Sequence, residues 1–301
     1  MDDKFLILDC NSLIHRAFYA LPSFVTKKGK PVGAVYGFFL MFFSVLKEFK
    51  PDFVVATFDS ATPTFRHKEY QAYKAKRPKL PSDLLWQINK TKEILNIFGI
   101  SVIEKEGFEA DDLIGTIAKL AIRKRKFPPL EVIIVSGDAD MLSLVGNQIK
   151  VYFPQKGVKK NILFDFNLVK EKYDGLEPSQ LTDYRALRGD PSDNIPGVRG
   201  IGRKTAISLL KKFRTLENLY AKIEKRSEET QRLKPKIREL LLRHKEDAFF
   251  SKRLAKINSG VPLDIKLKDC SFTLEKKDEL VEAFKKLGFL SLIKKLPEIL
   301  N

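Results

Sequence analysis

Nine carboxylates lie in short segments whose spacing can aim them at one place. Three segments are dense in acid: Glu109-Ala-Asp111-Asp112, Asp138-Ala-Asp140 and Asp190-Pro-Ser-Asp193. Asp9 and Asp59 each end an apolar run. Taken singly, each group has an ordinary explanation. Acids in a first helical turn favour the helix dipole, which suits Glu109, Asp111 and Asp112. Asp138 and Asp140 suit a turn, and Asp190 and Asp193 suit a loop or a helix cap. Gathered together, they would repel and raise one another's pKa unless cations stood among them. Oxygen-only ligands suit Mg²⁺, with Mn²⁺ able to substitute, and no nearby Cys/His pairs point to zinc. Two such ions, roughly 3.5–4 Å apart, serve in-line displacement at phosphorus. One lowers the pKa of the attacking water and the other stabilises the leaving oxygen.

The elements that would position these acids follow from periodicity. Residues 4–9, 53–59 and 131–138 are continuous apolar, β-branched runs, which read as strands buried on both faces. Helical patterns lie between them, at about 33–49, 81–98 and 109–125. This alternation predicts an α/β fold with a mostly parallel central sheet flanked by helices. Parallel strands end on one edge, and ligands bind beyond their carboxyl ends. Asp9, Asp59 and Asp138 are therefore expected to converge. From about residue 178 helices dominate: Pro178 to Leu187, then 203–213, 235–257 and 275–298. The charged stretch 221–236 reads as solvated surface or a connection. The expected division is a core over 1–177 carrying the metal site and a helical region over 178–301.

Two further segments bear on the substrate. Residues 63–79 interleave Arg66, Lys68, Lys74, Lys76, Arg77 and Lys79 with Phe65, Tyr70 and Tyr73. They follow Asp59 directly, so they should stand over the same sheet edge. There cations can hold phosphates, and aromatic faces can stack on unpaired bases. An amphipathic helix with its aromatics packed inward is the plainer reading. His67 alone gives no reason for acid–base catalysis and is read as surface. The second segment, 194–205, contains Gly197, Gly200, Gly202, Arg203, Lys204 and Thr205. It is not a nucleotide phosphate loop, because Arg203 separates Gly202 from Lys204 and the loop follows a helix. A helix, a glycine turn and a second helix can instead grip a DNA phosphate through backbone N–H groups, without reading sequence.

The bulk composition agrees with a nucleic-acid partner. The 301 residues carry 55 Lys and Arg against 38 Asp and Glu, a net +17. Such a surplus favours a polyanion, since each cation placed on a phosphate releases a counterion. A Lys-rich surface of biased composition would give the same count. Cys10 and Cys270 are far apart and fit a reduced cytoplasmic protein. No signal peptide is visible, and no apolar stretch approaches the ~20 residues of a membrane span.

These motifs, in this order and spacing, resemble the 5′-nuclease domain of bacterial DNA polymerase I, within the flap endonuclease family. The resemblance runs from Leu6-Ile-Leu-Asp9 to about residue 260. It includes Tyr73-Lys74-Ala-Lys-Arg77-Pro78, Gly137-Asp-Ala-Asp140 and Gly189-Asp-Pro-Ser-Asp-Asn-Ile-Pro-Gly197. It implies that all nine acids serve two or more metal positions, some through water. It implies a helical arch over about 63–90, in which Tyr73, Lys74 and Arg77 act on the unpaired 5′ strand. Arg16 matches a basic residue near the scissile phosphate, and Arg66 is taken as a DNA contact. The loop within about 179–213 matches a helix–three-turn–helix that holds duplex DNA and a monovalent cation, often K⁺. The implied activity is 5′→3′ exonuclease and flap endonuclease on 5′ flaps, nicks and 5′ ends, in primer removal and repair. RNA–DNA primers stay open as substrates, because the attacking water ignores the 2′-hydroxyl. The expected protein is a bacterial, nucleoid-associated monomer. It works with a DNA polymerase in trans or as one part of a longer chain. A junction-binding protein without catalysis and an acidic-site ribonuclease are the alternatives. The first would lack key acids, and the second would need neither the basic segment nor the glycine loop.

Overall fold

Among the described residues, six strands form one sheet: β1 (Asp3–Asp9), β2 (Phe53–Thr57), β3 (Ser101–Ile103), β4 (Leu130–Val135), β5 (Ile149–Phe153) and β6 (Ile162–Phe164). Their spatial order is β3-β2-β1-β4-β5-β6, parallel throughout except for β6, which runs antiparallel to β5. This computed structural model describes residues 3–21, 24–124, 129–154 and 161–300.

β1 shows why the apolar runs had no alternation. Successive side chains of a strand point to opposite faces, and here both faces are covered. Phe5 and Ile7 join Val132 and Ile134 beneath Leu113, Ile114 and Ile117 of the helix Ala110–Lys124. Leu6 and Leu8 join Val54 and Ala56 beneath the phenylalanines of the helix Gly33–Phe49. That second layer is unusually aromatic: Phe39 stacks on Phe98 at 5.7 Å and meets Phe284 edge-on at 5.5 Å. The expected mostly parallel α/β architecture is present.

The helical second half differs from expectation in several places. The stretch 235–257 is two helices, Pro235–Arg243 and Lys245–Ala255, broken at His244 (φ −110°). The pattern over 275–298 is likewise two helices, Lys277–Leu287 and Leu290–Leu300, separated by Gly288 at φ +78°. Leu280, Phe284, Phe289, Leu292 and Leu296 carry this pair back onto the Gly33–Phe49 layer. The chain's end therefore packs with the α/β core rather than with a separate helical region. The stretch 221–236 is mostly solvated surface, as expected, but it is ordered rather than a bare connection. It holds the end of the helix Leu216–Glu224 and the turn Glu228–Gln231, with Ile223 and Thr230 buried. Periodicity also missed the helix Cys10–Ala20, which directly follows Asp9. No helix among the described residues is long and apolar enough to cross a membrane.

Candidate metal centre

Asp9 is the last residue of β1 and caps the helix Cys10–Ala20, accepting from Ser12 N–H at 3.2 Å. Its other oxygen accepts from Ser136 Oγ at 2.5 Å, just past β4. Ser136 Oγ in turn accepts from Asp138 N–H at 2.8 Å, and Ser12 Oγ accepts from Gly137 N–H at 3.0 Å. Sequence reasoning passed over Ser12 and Ser136, yet they lace the ends of β1 and β4 together. Burial pushes the Asp9 carboxyl up to about 6, with Asp138 and Asp59 adding to the rise and the two serines opposing it.

Asp59 lies two residues past β2 and accepts from Ala110 N–H at 2.8 Å, which sets the start of the helix Ala110–Lys124 beside it. Asn11 Oδ1 accepts from Asp59 N–H at 3.1 Å. Asp111, in the first turn of that helix, is raised well above the ordinary carboxyl range by burial, then by Asp138 and Asp9. Asp138 stands three residues past β4 and caps the 3₁₀ helix Ala139–Leu144, accepting from Asp140 N–H at 2.8 Å. Asp140 is pushed up to about 8 by burial, against an ion pair with Arg185, with Asp138, Asp190 and Asp193 adding to the rise.

The two remaining segments close in from other elements. Asp190 accepts from Ser192 N–H at 2.9 Å and Ser192 Oγ at 2.6 Å. Glu109 and Asp193 are joined from above. Tyr73 Oη lies 3.1 Å from Glu109 Oε2 and 3.2 Å from Asp193 Oδ2. Lys74 Nζ lies 3.0 Å from Glu109, and Arg77 Nη2 lies 2.5 Å from Asp193. Burial opposes the Lys74 ammonium, but Glu109 and Asp193 outweigh it and raise its pKa.

Asp9, Asp59, Asp111 and Asp138 thus form one edge, and Asp140, Asp190 and Asp193 a second, with Asp138 acting on both. Hard oxygen donors gathered in this way, with the carboxyls of Asp9, Asp111 and Asp140 held above their ordinary range, suit divalent cations in chemistry. In geometry the acids are not closed: among the described residues, no three His, Cys, Asp or Glu side chains are arranged to hold one ion.

Several expected roles change. Arg66 was expected to meet DNA, but it is 3% exposed. Its guanidinium donates to both oxygens of Asp112 at 2.8 and 2.9 Å, and to Leu254 O and Lys256 O, each at 2.8 Å. Asp112, expected as a metal ligand, is fully buried with both oxygens taken; Asn258 N–H adds a contact at 2.8 Å. Electrostatics explains the exchange, because a buried guanidinium needs a fixed counter-charge.

The segment 63–79 is not one helix. Phe65–Glu69 forms a short helix, and a turn follows in which Lys74 sits at φ +54°. Its aromatics pack inward, Tyr70 on Phe250 at 5.3 Å and Phe65 near Phe108 at 6.1 Å. Tyr73 is buried and presents no free face to a base. His67 is half-buried rather than surface: its ring bonds the Thr64 hydroxyl at 2.9 Å and meets Tyr73 edge-on.

Arg16 lines an open cleft with Ser12, His15, Tyr19, Gly137 and Asp138, beside the first acidic edge. In the glycine loop, the helices Leu181–Arg188 and Arg203–Phe213 flank the turn. Gly197 was expected as a DNA contact, but it is buried and its N–H donates to Ser251 Oγ at 2.9 Å. Gly200, at φ +90°, packs on Leu240. Arg203 is tied at the surface to Lys172 O at 2.9 Å and Asp174 at 3.0 Å. Gly202 and Lys204 remain exposed at the helix start, with Thr205 half-buried.

Comparisons with known proteins agree with this architecture. Residues 4–174 match the 5′-3′ exonuclease, N-terminal resolvase-like domain, and residues 176–279 match the 5′-3′ exonuclease, C-terminal SAM fold. DNA polymerase I of Bacillus caldotenax is 39% identical over 296 residues, covering 98% of this chain and 32% of that protein. DNA polymerase I of Caldicellulosiruptor bescii is 41% identical over 295 residues, covering 97% and 33%. The chain thus spans about one third of the length of these relatives. Among solved structures, the bacteriophage T5 5′-exonuclease with divalent metal ions (zinc) bound has a TM-score of 0.68 at 19% identity, covering 99% of this chain and 98% of that one. The catalytic core of Rad2 in complex with DNA substrate has a TM-score of 0.65 at 18% identity, covering 99% and 92%. At such identities these two show a shared fold. By the family matches over both halves, the chain belongs to the 5′-3′ exonuclease family.

Proposed function

We propose that this chain is a structure-selective 5′→3′ exonuclease and flap endonuclease that hydrolyses DNA phosphodiester bonds at a two-metal centre. The carrying observation is the gathering of acids from the ends of β1, β2 and β4, the first turn of Ala110–Lys124 and the loop after Leu181–Arg188, beneath Lys74 and Arg77. Asp9, Asp59, Asp111 and Asp138 would hold one Mg²⁺ or Mn²⁺, and Asp138, Asp140, Asp190 and Asp193 another, with Glu109 between them. When bound, such ions supply an activated water and stabilise the leaving oxygen.

The chain's own groups account for the rest. Lys74 and Arg77 are cations on the segment that covers the acids, placed to exchange a carboxylate for a substrate phosphate. Tyr73 holds Glu109 and Asp193 from two separate segments. Arg16, in the cleft beside Asp138, would take the phosphate next to the cut. The exposed N–H groups after Gly202, with Lys204 and Thr205, would grip duplex phosphates without reading sequence, and a K⁺ ion at that turn belongs to the same reading.

The T5 structure with divalent ions and the Rad2 structure with DNA support metal use and a DNA substrate. The polymerase I relatives support work beside a polymerase, in primer removal and repair, with RNA–DNA primers among the substrates. A monomeric, nucleoid-associated bacterial enzyme completes the proposal, with a core over 1–177 and a helical region from 178 whose last helix pair packs back onto that core. The test is single-turnover cleavage of a 5′-labelled flap duplex in Mg²⁺, in Mn²⁺ and in EDTA. Metal-dependent release of a short 5′ product near the branch supports the reading. Tight binding without cleavage in either metal would move it to a junction-binding protein.

A further inference from the structure

Arg185 is a buried cation that neither the family motifs nor the site reading uses. It lies on the helix Leu181–Arg188, is 6% exposed, and pairs through Nη2 with Asp140. Its Nη1 is buried and has no hydrogen-bond partner among the described residues. A guanidinium carries five N–H donors in one planar fork. The unused donor therefore sits in the same plane as the one on Asp140, at the margin of the acidic edge. Leaving a buried donor unsatisfied is costly, so packing satisfaction does not explain this arginine. Charge does: Arg185 is the cation paired with the Asp140 carboxylate. The pair also ties the 3₁₀ helix Ala139–Leu144 to the helix leading into Asp190 and Asp193, so it draws together acids from both halves of the chain.

We propose that Arg185 is the resident counter-cation of the Asp140–Asp190–Asp193 edge. It is a positioning residue that holds these acids together and competes with a divalent ion for Asp140, and so sets how tightly this edge takes that ion. The inference rests on the metal reading above. A unit charge within a few ångströms acts on a doubly charged ion, and even with water-like screening its removal tightens ion binding by about tenfold.

The experiment is a Mn²⁺ binding isotherm on the whole chain, with free ion counted by electron paramagnetic resonance, for wild type, Arg185→Gln and Arg185→Lys. Arg185→Gln should tighten the weaker class of Mn²⁺ sites about tenfold, while Arg185→Lys, which keeps the charge, should stay near wild type. The melting temperature of Arg185→Gln should fall in EDTA and recover in saturating Mn²⁺. A merely structural arginine would give a loss that Mn²⁺ does not recover. Arg185→Met, similar in length and uncharged, repeats the measurement if Arg185→Gln does not fold. Unchanged or weaker Mn²⁺ binding in the uncharged variant overturns this inference alone. No Mn²⁺ binding by any of the proteins overturns it together with the metal reading.

Discussion

Removing the Asp112 carboxylate separates two roles that family motifs merge. If Asp112 held metal, Asp112→Ala would lower ion affinity and leave the fold intact. The structure makes a different demand. Asp112 is the counter-charge of Arg66, which is 3% exposed and bonded to both of its oxygens. Arg66 also donates to Leu254 O and Lys256 O, and Asp112 accepts from Asn258 N–H, so the pair pins three segments together. Breaking a buried ion pair from one side typically costs about 3–5 kcal/mol, because the remaining charge is left uncompensated. For a chain of this size that is a melting temperature lower by about 10 °C. Asp112→Ala is expected to show this loss in EDTA, by calorimetry or circular dichroism, while keeping its Mn²⁺ isotherm. The double variant Arg66→Met/Asp112→Leu, which removes both charges, should recover most of the stability. An Asp112→Ala protein that melts like wild type but loses a bound Mn²⁺ ion would refute the argument and return Asp112 to the metal set.

Without added metal, stability should fall as pH rises from 6.5 to about 8 and then level off. Asp140, with a folded pKa of about 8 against an ordinary 3.8, keeps in the fold a proton that the unfolded chain has already released; Asp9, at about 6, gives the same loss below this window. His15, whose pKa burial lowers from 6.5, works the other way only below this window. Saturating Mg²⁺ should flatten the dependence, and a flat metal-free melting curve would count against the raised acids. Lys74→Ala is expected to slow single-turnover cleavage of a free 5′ end by about 100-fold with little change in melting temperature; an unchanged rate would remove Lys74 from the site. Gly197→Ala should destabilise the chain by about 3 kcal/mol or more, since its φ is +65° and an added Cβ would lie 2.2 Å from Gly189 N. Gly202→Ala, where a Cβ meets nothing within 4 Å, should fold normally and act only on duplex affinity, measured by anisotropy. Equal stability of the two glycine variants would contradict the loop geometry.

Much of the architecture is legible in the sequence because it rests on local periodicity. A strand buried on both faces reads as an unbroken apolar run, and β1, β2 and β4 each did. The position of an acid just past such a run needs only strand direction, so Asp9, Asp59 and Asp138 could be placed on one edge. Where a helix breaks is less visible: His244 and Gly288 interrupt patterns whose apolar period continues through them. The return of Phe284 and Phe289 to the Gly33–Phe49 layer was invisible for a different reason, since an amphipathic face does not say which surface it covers.

The sequence by itself determined which carboxylates could gather, that a basic segment would stand over them and that a glycine turn would join two helices. Only the tertiary structure decided the partners. Arg66 and Lys74 lie in one basic segment, yet one is sealed against Asp112 while the other meets Glu109. Arg185 meets Asp140 across 45 residues, and Ser136 meets Asp9 across 127. The physical reason is that burial and period are written in neighbouring residues. The pairing of one charge with another is set by distances that exist only once separate segments have packed, and at those distances electrostatics seals one cation against Asp112 and sets the next beside Glu109.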